Sequence, residues 1–111
     1  MNWKELTDEQ KNIKIAEYMG FTDFILDDYY EEYDLPFYAT TCKDPVGCRN
    51  PMEDAIHDLN VCHVFELMLS PDQWGLYEYH LSNICGGLVY TIPATAEQKC
   101  EAFYLTMQDK P

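Results

Sequence analysis

The sequence predicts an α+β fold: about four helices packed on a small, mostly antiparallel sheet, in a single domain spanning residues 1–111. Three observations lead there. Helix-start signals recur at Thr7, Ser70 and Thr95, each with a Gln three residues on. Apolar residues then follow at steps of three and four. Between these segments lie short β-branched and aromatic runs bounded by Gly, Pro and Asn. About 47% of the chain is apolar, enough to fill a core at this size, and no internal repeat or long linker divides it.

In chain order, Thr7-Asp8-Glu9-Gln10 opens the first helix, with Asp8 and Glu9 placed where the helix dipole favours negative charge. Ile15, Tyr18 and Met19 form its apolar face, with Ile13 and Ala16 beside it, and Gly20 ends it. Phe21 to Leu26 reads as a strand, and Phe37 to Thr41 as a second. The stretch from Asp27 to Asp34 alternates carboxylates with tyrosines, which no regular element buries easily. It reads as a loop or an exposed edge. Residues 42–51 hold Pro45, Gly47, Asn50 and Pro51, which is turn chemistry.

Asn50 or Pro51 is expected to open a well-buried second helix over roughly Met52–Leu69. Ser70 caps a third helix, with Pro71 in its first turn and Trp74, Tyr77, Leu81 and Ile84 on one face; Gly86-Gly87 ends it. Leu88 to Ile92 is the clearest strand. The last helix starts at Thr95 and places Ala96, Cys100, Phe103 and Met107 in one stripe.

Charge bounds the function. Twenty Asp and Glu face seven Lys and Arg, a formal charge of −13. That balance repels nucleic acid and anionic lipid as direct partners and favours a cationic one. Acidity that merely keeps a small protein in solution is the plainer alternative. No apolar run approaches the roughly 20 residues that span a bilayer, and the first residues lack a secretory pattern. The five cysteines, an odd number without an export signal, are expected to be free thiols in a reducing cytoplasm.

Three further segments belong together: Glu9-Gln10-Lys11-Asn12-Ile13-Lys14-Ile15-Ala16-Glu17 through Gly20-Phe21-Thr22; Asp58-Leu59-Asn60 with Asp72-Gln73-Trp74 and Tyr77; and Thr95-Ala96-Glu97-Gln98-Lys99-Cys100-Glu101-Ala102-Phe103. In order and spacing this set resembles the small phage proteins of the α/β/α ("ABA") sandwich type. Lys99 and Cys100 depart from the family's usual Arg and variable residue. The segment from Asp27 to Asp34 and the Cys42–Cys48 region have no fixed counterpart. The resemblance implies a phage or prophage gene acting in a bacterial cytoplasm. It implies no catalytic residue and no cofactor, because the matching positions are caps and core.

Three sets of residues offer candidate chemistry. Cys42, Cys48, Cys62 and His63 offer four soft ligands, but the first pair is too widely spaced for structural zinc, and adjacent helical residues point about 100° apart. Cys62 with His57, His63 or His80 shows no elbow or anion site that would activate a thiol. The carboxylates of Asp27, Asp28, Glu31 and Glu32 look solvated together, whereas acid–base work needs two different environments. No metal, cofactor or catalytic set is therefore assigned.

The expected partner-binding surface is Asp27, Asp28, Tyr29, Tyr30, Glu31, Glu32, Tyr33 and Asp34. Its dense carboxylates match the charge spacing of a nucleic-acid backbone, and its tyrosines suit an interface. The expected function is non-enzymatic: an anti-CRISPR-like inhibitor that engages a basic surface on a host protein or ribonucleoprotein complex. A nucleotide-signal sponge and a phage accessory domain that binds another phage protein are the alternatives. The surplus of aromatic and Met side chains also allows a homodimer.

Overall fold

A computed structural model describes residues 2–30, 37–86 and 94–108. Its elements are α1 (Asp8–Tyr18), β1 (Thr22–Tyr30), β2 (Phe37–Lys43), β3 (Arg49–Pro51), α2 (Leu59–Leu67), α3 (Pro71–Ile84) and α4 (Ala96–Gln108), with 3-10 turns at Trp3–Glu5 and Ala55–His57. This is the α+β class read from the sequence: four helices with a three-stranded antiparallel sheet.

The core is built around α4. Thr95 and Gln98 exchange the expected capping bonds, at 2.8 and 3.2 Å. Ala96, Cys100 and Phe103 of the predicted stripe are buried, and so are Ala102, Tyr104 and Thr106. The helix is covered on more than one face because it packs on α1, α2, α3 and the 55–57 turn. Phe103 stacks on Phe65 with centroids 4.3 Å apart and planes 10° apart. Tyr77 and Tyr18 meet this pair edge-on, each at 6.3 Å. On the neighbouring residue of α4, Trp3 packs on Tyr104.

The capping boxes at Thr7 and Ser70 are both formed. Ile15 and Met19 are buried as expected, and Gly20 turns the chain out of α1 at φ 98°. Lys11 and Asn12 are also buried, which periodicity did not suggest. Lys11 Nζ lies 2.6 Å from Glu97 on α4. The Asn12 side chain donates to Asp54 and accepts from the Ile56 N–H, clamping α1 to the 55–57 turn.

The second helix differs most from expectation. Asn50 and Pro51 lie in β3, the chain makes a 3-10 turn at Ala55–His57, and α2 begins only at Leu59, capped by Asp58. Nor is α2 well buried. Val61, Cys62 and Phe65 face the core, while Leu59, Val64, Leu67 and Met68 are exposed. The helix lies at the side of the body and contacts it with one face. On α3, Tyr77 and Leu81 are buried and Ile84 is half-buried, but Trp74 sits at the rim and its indole N–H donates to Glu78. Gly86 follows α3 at φ 69°.

The strands run longer than predicted, and the 44–48 turn joins β2 to β3. Asp44 Oδ1 accepts the N–H groups of Val46 and Cys48, organising the Pro45/Gly47 turn. Thr22 pairs with Lys43, Ile25 with Thr41, Asp28 with Ala39 and Tyr29 with Tyr38. Three residues of β1 therefore oppose two of β2, twice over. Asp23 and Asp27, at φ 55° and 53°, lie within these two bulges. Asp tolerates this left-handed geometry better than most side chains. The predicted strand at 88–92 and Gly87 lie outside the described residues.

The helical body and the sheet are unequal in depth. The connected apolar core holds helical and 3-10 residues, whereas the sheet's most deeply buried side chains are Thr41 and Cys42. β1 and β2 pair extensively with each other and touch the helices little. The radius of gyration of 14.9 Å exceeds the about 13 Å expected for a chain of this length, and the long axis is 46 Å.

Candidate partner-binding surface

Half of the expected surface lies on β1. Asp27, Asp28, Tyr29 and Tyr30 belong to a nine-residue strand and not to a loop, which corrects one of the two sequence readings. Carboxylates disfavour strands intrinsically, but here pairing with the β-branched and aromatic β2 decides the conformation. Glu31, Glu32, Tyr33 and Asp34 lie outside the described residues.

The register sorts these side chains. Asp28 shares a face with Ile25, Thr41 and Lys43, while Tyr29 and Tyr38 share the opposite one. Tyr29 and Tyr38 meet edge-on at 5.3 Å and remain 48% and 71% exposed. They form an aromatic pair open to solvent. Asp27 is exposed at its bulge, and Asp28 is half-buried with its Oδ2 accepting the Thr41 hydroxyl at 3.0 Å.

A polar chain that sequence reasoning missed continues from Thr41. Arg49 Nη1 donates to Thr41 Oγ1 at 2.8 Å, and Nη2 donates to Asp23 Oδ2 at 2.6 Å. Lys43 Nζ reaches the same Asp23 oxygen at 3.5 Å. Both cations between residues 22 and 51 are thus drawn to Asp23, while that segment holds seven acidic residues. Asp27 and Asp28 have no cation paired to them among the described residues. No local signal announced this chain, because its members are 8, 13 and 26 residues apart in sequence.

The thiols and histidines are distributed elsewhere. All five cysteines are free: Cys48 is exposed, while Cys42, Cys62 and Cys100 are buried. Burial raises Cys42 above the ordinary thiol range. Cys62 and Cys100 lie 3.9 Å apart in the core, where Cys100 also donates to the Ala55 carbonyl. The hydrogen bond to Cys62 and burial push Cys100 upward, so it stays a thiol. His63 is exposed. Among the described residues no group of three or more His, Cys, Asp or Glu gathers as a metal site, and no helix is long and apolar enough to cross a membrane.

Among the described residues, two depressions have room for a small ligand. One, about 220 Å³, is lined by Tyr18, Met68, Leu69, Gln73, Phe103 and Met107. The other, about 470 Å³, is lined by Phe21, Asp44, Asn50, Pro51, Met52 and Glu53. Neither lining contains a cationic side chain, so neither offers an ionic partner to a phosphate.

No family model, curated protein or solved structure matches the chain.

Proposed function

We propose that this is a phage- or prophage-encoded binding protein without enzymatic activity, an anti-CRISPR-like counter-defence inhibitor that works in the bacterial cytoplasm. It occupies a basic nucleic-acid-binding surface of a host protein or ribonucleoprotein complex by acidic mimicry. The observation that carries this reading is the charge state of the β1–β2 hairpin. Both local cations are engaged by Asp23, and among the described residues Asp27 and Asp28 are left without them. The exposed Tyr29–Tyr38 pair stands on the opposite face of the same ribbon, as an aromatic contact surface. The phage setting rests on the sequence resemblance alone.

Capture from host lysate with the wild type and with the variant Asp27→Asn/Asp28→Asn/Glu31→Gln/Glu32→Gln tests this. Asn preserves the left-handed backbone at residue 27 while removing charge. The wild type is expected to retain a nucleic-acid-binding complex, and the variant to lose it. Complex formation should weaken as salt rises. Equal capture by both proteins, or binding indifferent to salt, defeats the mimicry reading.

A further inference from the structure

Among the four helices, α2 has an outer surface unlike the others. Leu59, Asn60, His63, Val64, Leu67 and Met68 occupy about half its circumference. The four apolar members are 55%, 50%, 74% and 50% exposed. A helix apolar on all sides is ordinarily enclosed, and this one is enclosed on one side only. The one carboxylate in α2, Glu66, turns away from the arc. It accepts from Tyr77 Oη at 2.7 Å and from Lys99 Nζ at 3.2 Å.

The remaining helices all expose carboxylates: Asp8, Glu9 and Glu17 on α1, Asp72 and Glu78 on α3, and Glu97 on α4. For a second molecule that also carries −13, the exposed faces of α1 and α3 are repulsive, while α4 is largely enclosed and its Glu97 is paired with Lys11. The α2 arc holds no carboxylate and is the helical face where two such molecules can meet without opposing like charges. A cationic partner gains nothing there. We propose that the protein pairs with a second copy of itself through this arc. Two α2 helices pack antiparallel about a two-fold axis, which passes between His63 and Val64, the middle of the arc. Each copy then offers the same patch to the other, as a closed dimer requires.

The arc spans about 15 Å of helix and is smaller than a standard interface, so the dimer is a weak one, with a Kd on the order of 10–100 µM. Its salt dependence has a definite sign. The contact is apolar and the two molecules repel at long range, so association strengthens as salt rises. This is opposite to the behaviour expected of the acidic hairpin with a basic partner, and the two readings fail independently.

Sedimentation of the purified protein up to about 0.5 mM, at low and high salt, provides the test. The wild type should dimerise, more tightly at high salt. Val64→Glu and Val64→Lys each set like charges across the axis at a half-exposed position that tolerates either residue in the monomer. Each should be monomeric with an unchanged circular dichroism spectrum, at least tenfold weaker in self-association. An equal mixture of the two should recover a heterodimer. A wild type that stays monomeric, an association that weakens with salt, a Val64→Glu protein that still dimerises, or a mixture that does not pair overturns the proposal.

Discussion

The helical body and the β1–β2 hairpin are held together by different physics. The body has a stack of rings, Tyr77 on Phe65 on Phe103 with Tyr18 at the edge, and a capping box at the start of three helices. The hairpin has a row of backbone pairs, two bulges and a polar chain from Asp28 through Thr41 and Arg49 to Asp23. The connected apolar core lies in the first region, while residues 22–51 of the second hold seven acidic residues against two basic ones. A protein arranged this way can alter its charged ribbon while leaving its core intact.

The sharpest break in that comparison comes from Phe103→Ala. Removing a ring from the centre of the stack should cost about 3–5 kcal/mol, read from urea unfolding. The charge-neutral hairpin variant used for capture should cost no more than about 1 kcal/mol, because Asp28→Asn keeps an oxygen to accept the Thr41 hydroxyl and Asp27 is exposed. A comparable loss in both would mean that the two regions are not separable.

Within the hairpin, Thr41→Val should cost about 1–2 kcal/mol, since Asp28 and Arg49 both lose a hydrogen-bond partner at a fully buried position. A neutral outcome would show that the polar chain adds nothing to pairing. Ser70→Ala should cost about 1 kcal/mol by removing the α3 cap, again by urea unfolding.

The smallest effect concerns Asp54 and His57, 2.8 Å apart at the surface. Burial alone would raise Asp54, but the hydrogen bonds from Asn12 and His57 outweigh it and hold the carboxyl below its ordinary value. Its contribution is present above about pH 4 and fades as pH falls through the lowered value. The hydrogen bond to Asp54 raises His57 above 6.5. That contribution is complete below about pH 6.5 and is lost as pH rises through the elevated value. An NMR titration should place His57 above 6.5, and Asp54→Asn should return it towards that value.

Features written within one turn of helix were legible in the sequence. The Thr7/Gln10, Ser70/Gln73 and Thr95/Gln98 boxes, the Gly20 stop and the α4 stripe all follow from neighbours a few residues apart. Asn50-Pro51 carries a helix-opening pattern, yet α2 begins at Leu59. Register with Thr41 and Cys42 draws those residues into β3, and the Asn12 clamp leaves Asp58 to cap the helix instead. Lys11 and Asn12 gave no warning of burial, since their partners lie 86 and 42 residues away. The candidate surface was legible as composition and not as geometry. Its acid run was visible at once, but the bulges, the Tyr29–Tyr38 pair and the capture of both cations by Asp23 depend on which strand lies alongside.

The five thiols sit at graded depths, and that grading makes the molecule its own reporter of opening. Cys48 on the turn is accessible from the outset, and Cys85 at the end of α3 is half-covered. Cys42 is uncovered only when the sheet parts from the helices, and Cys62 and Cys100 only when the body itself comes apart. The order in which an alkylating reagent consumes them gives separate rates for fraying, ribbon detachment and global unfolding in a single unlabelled sample.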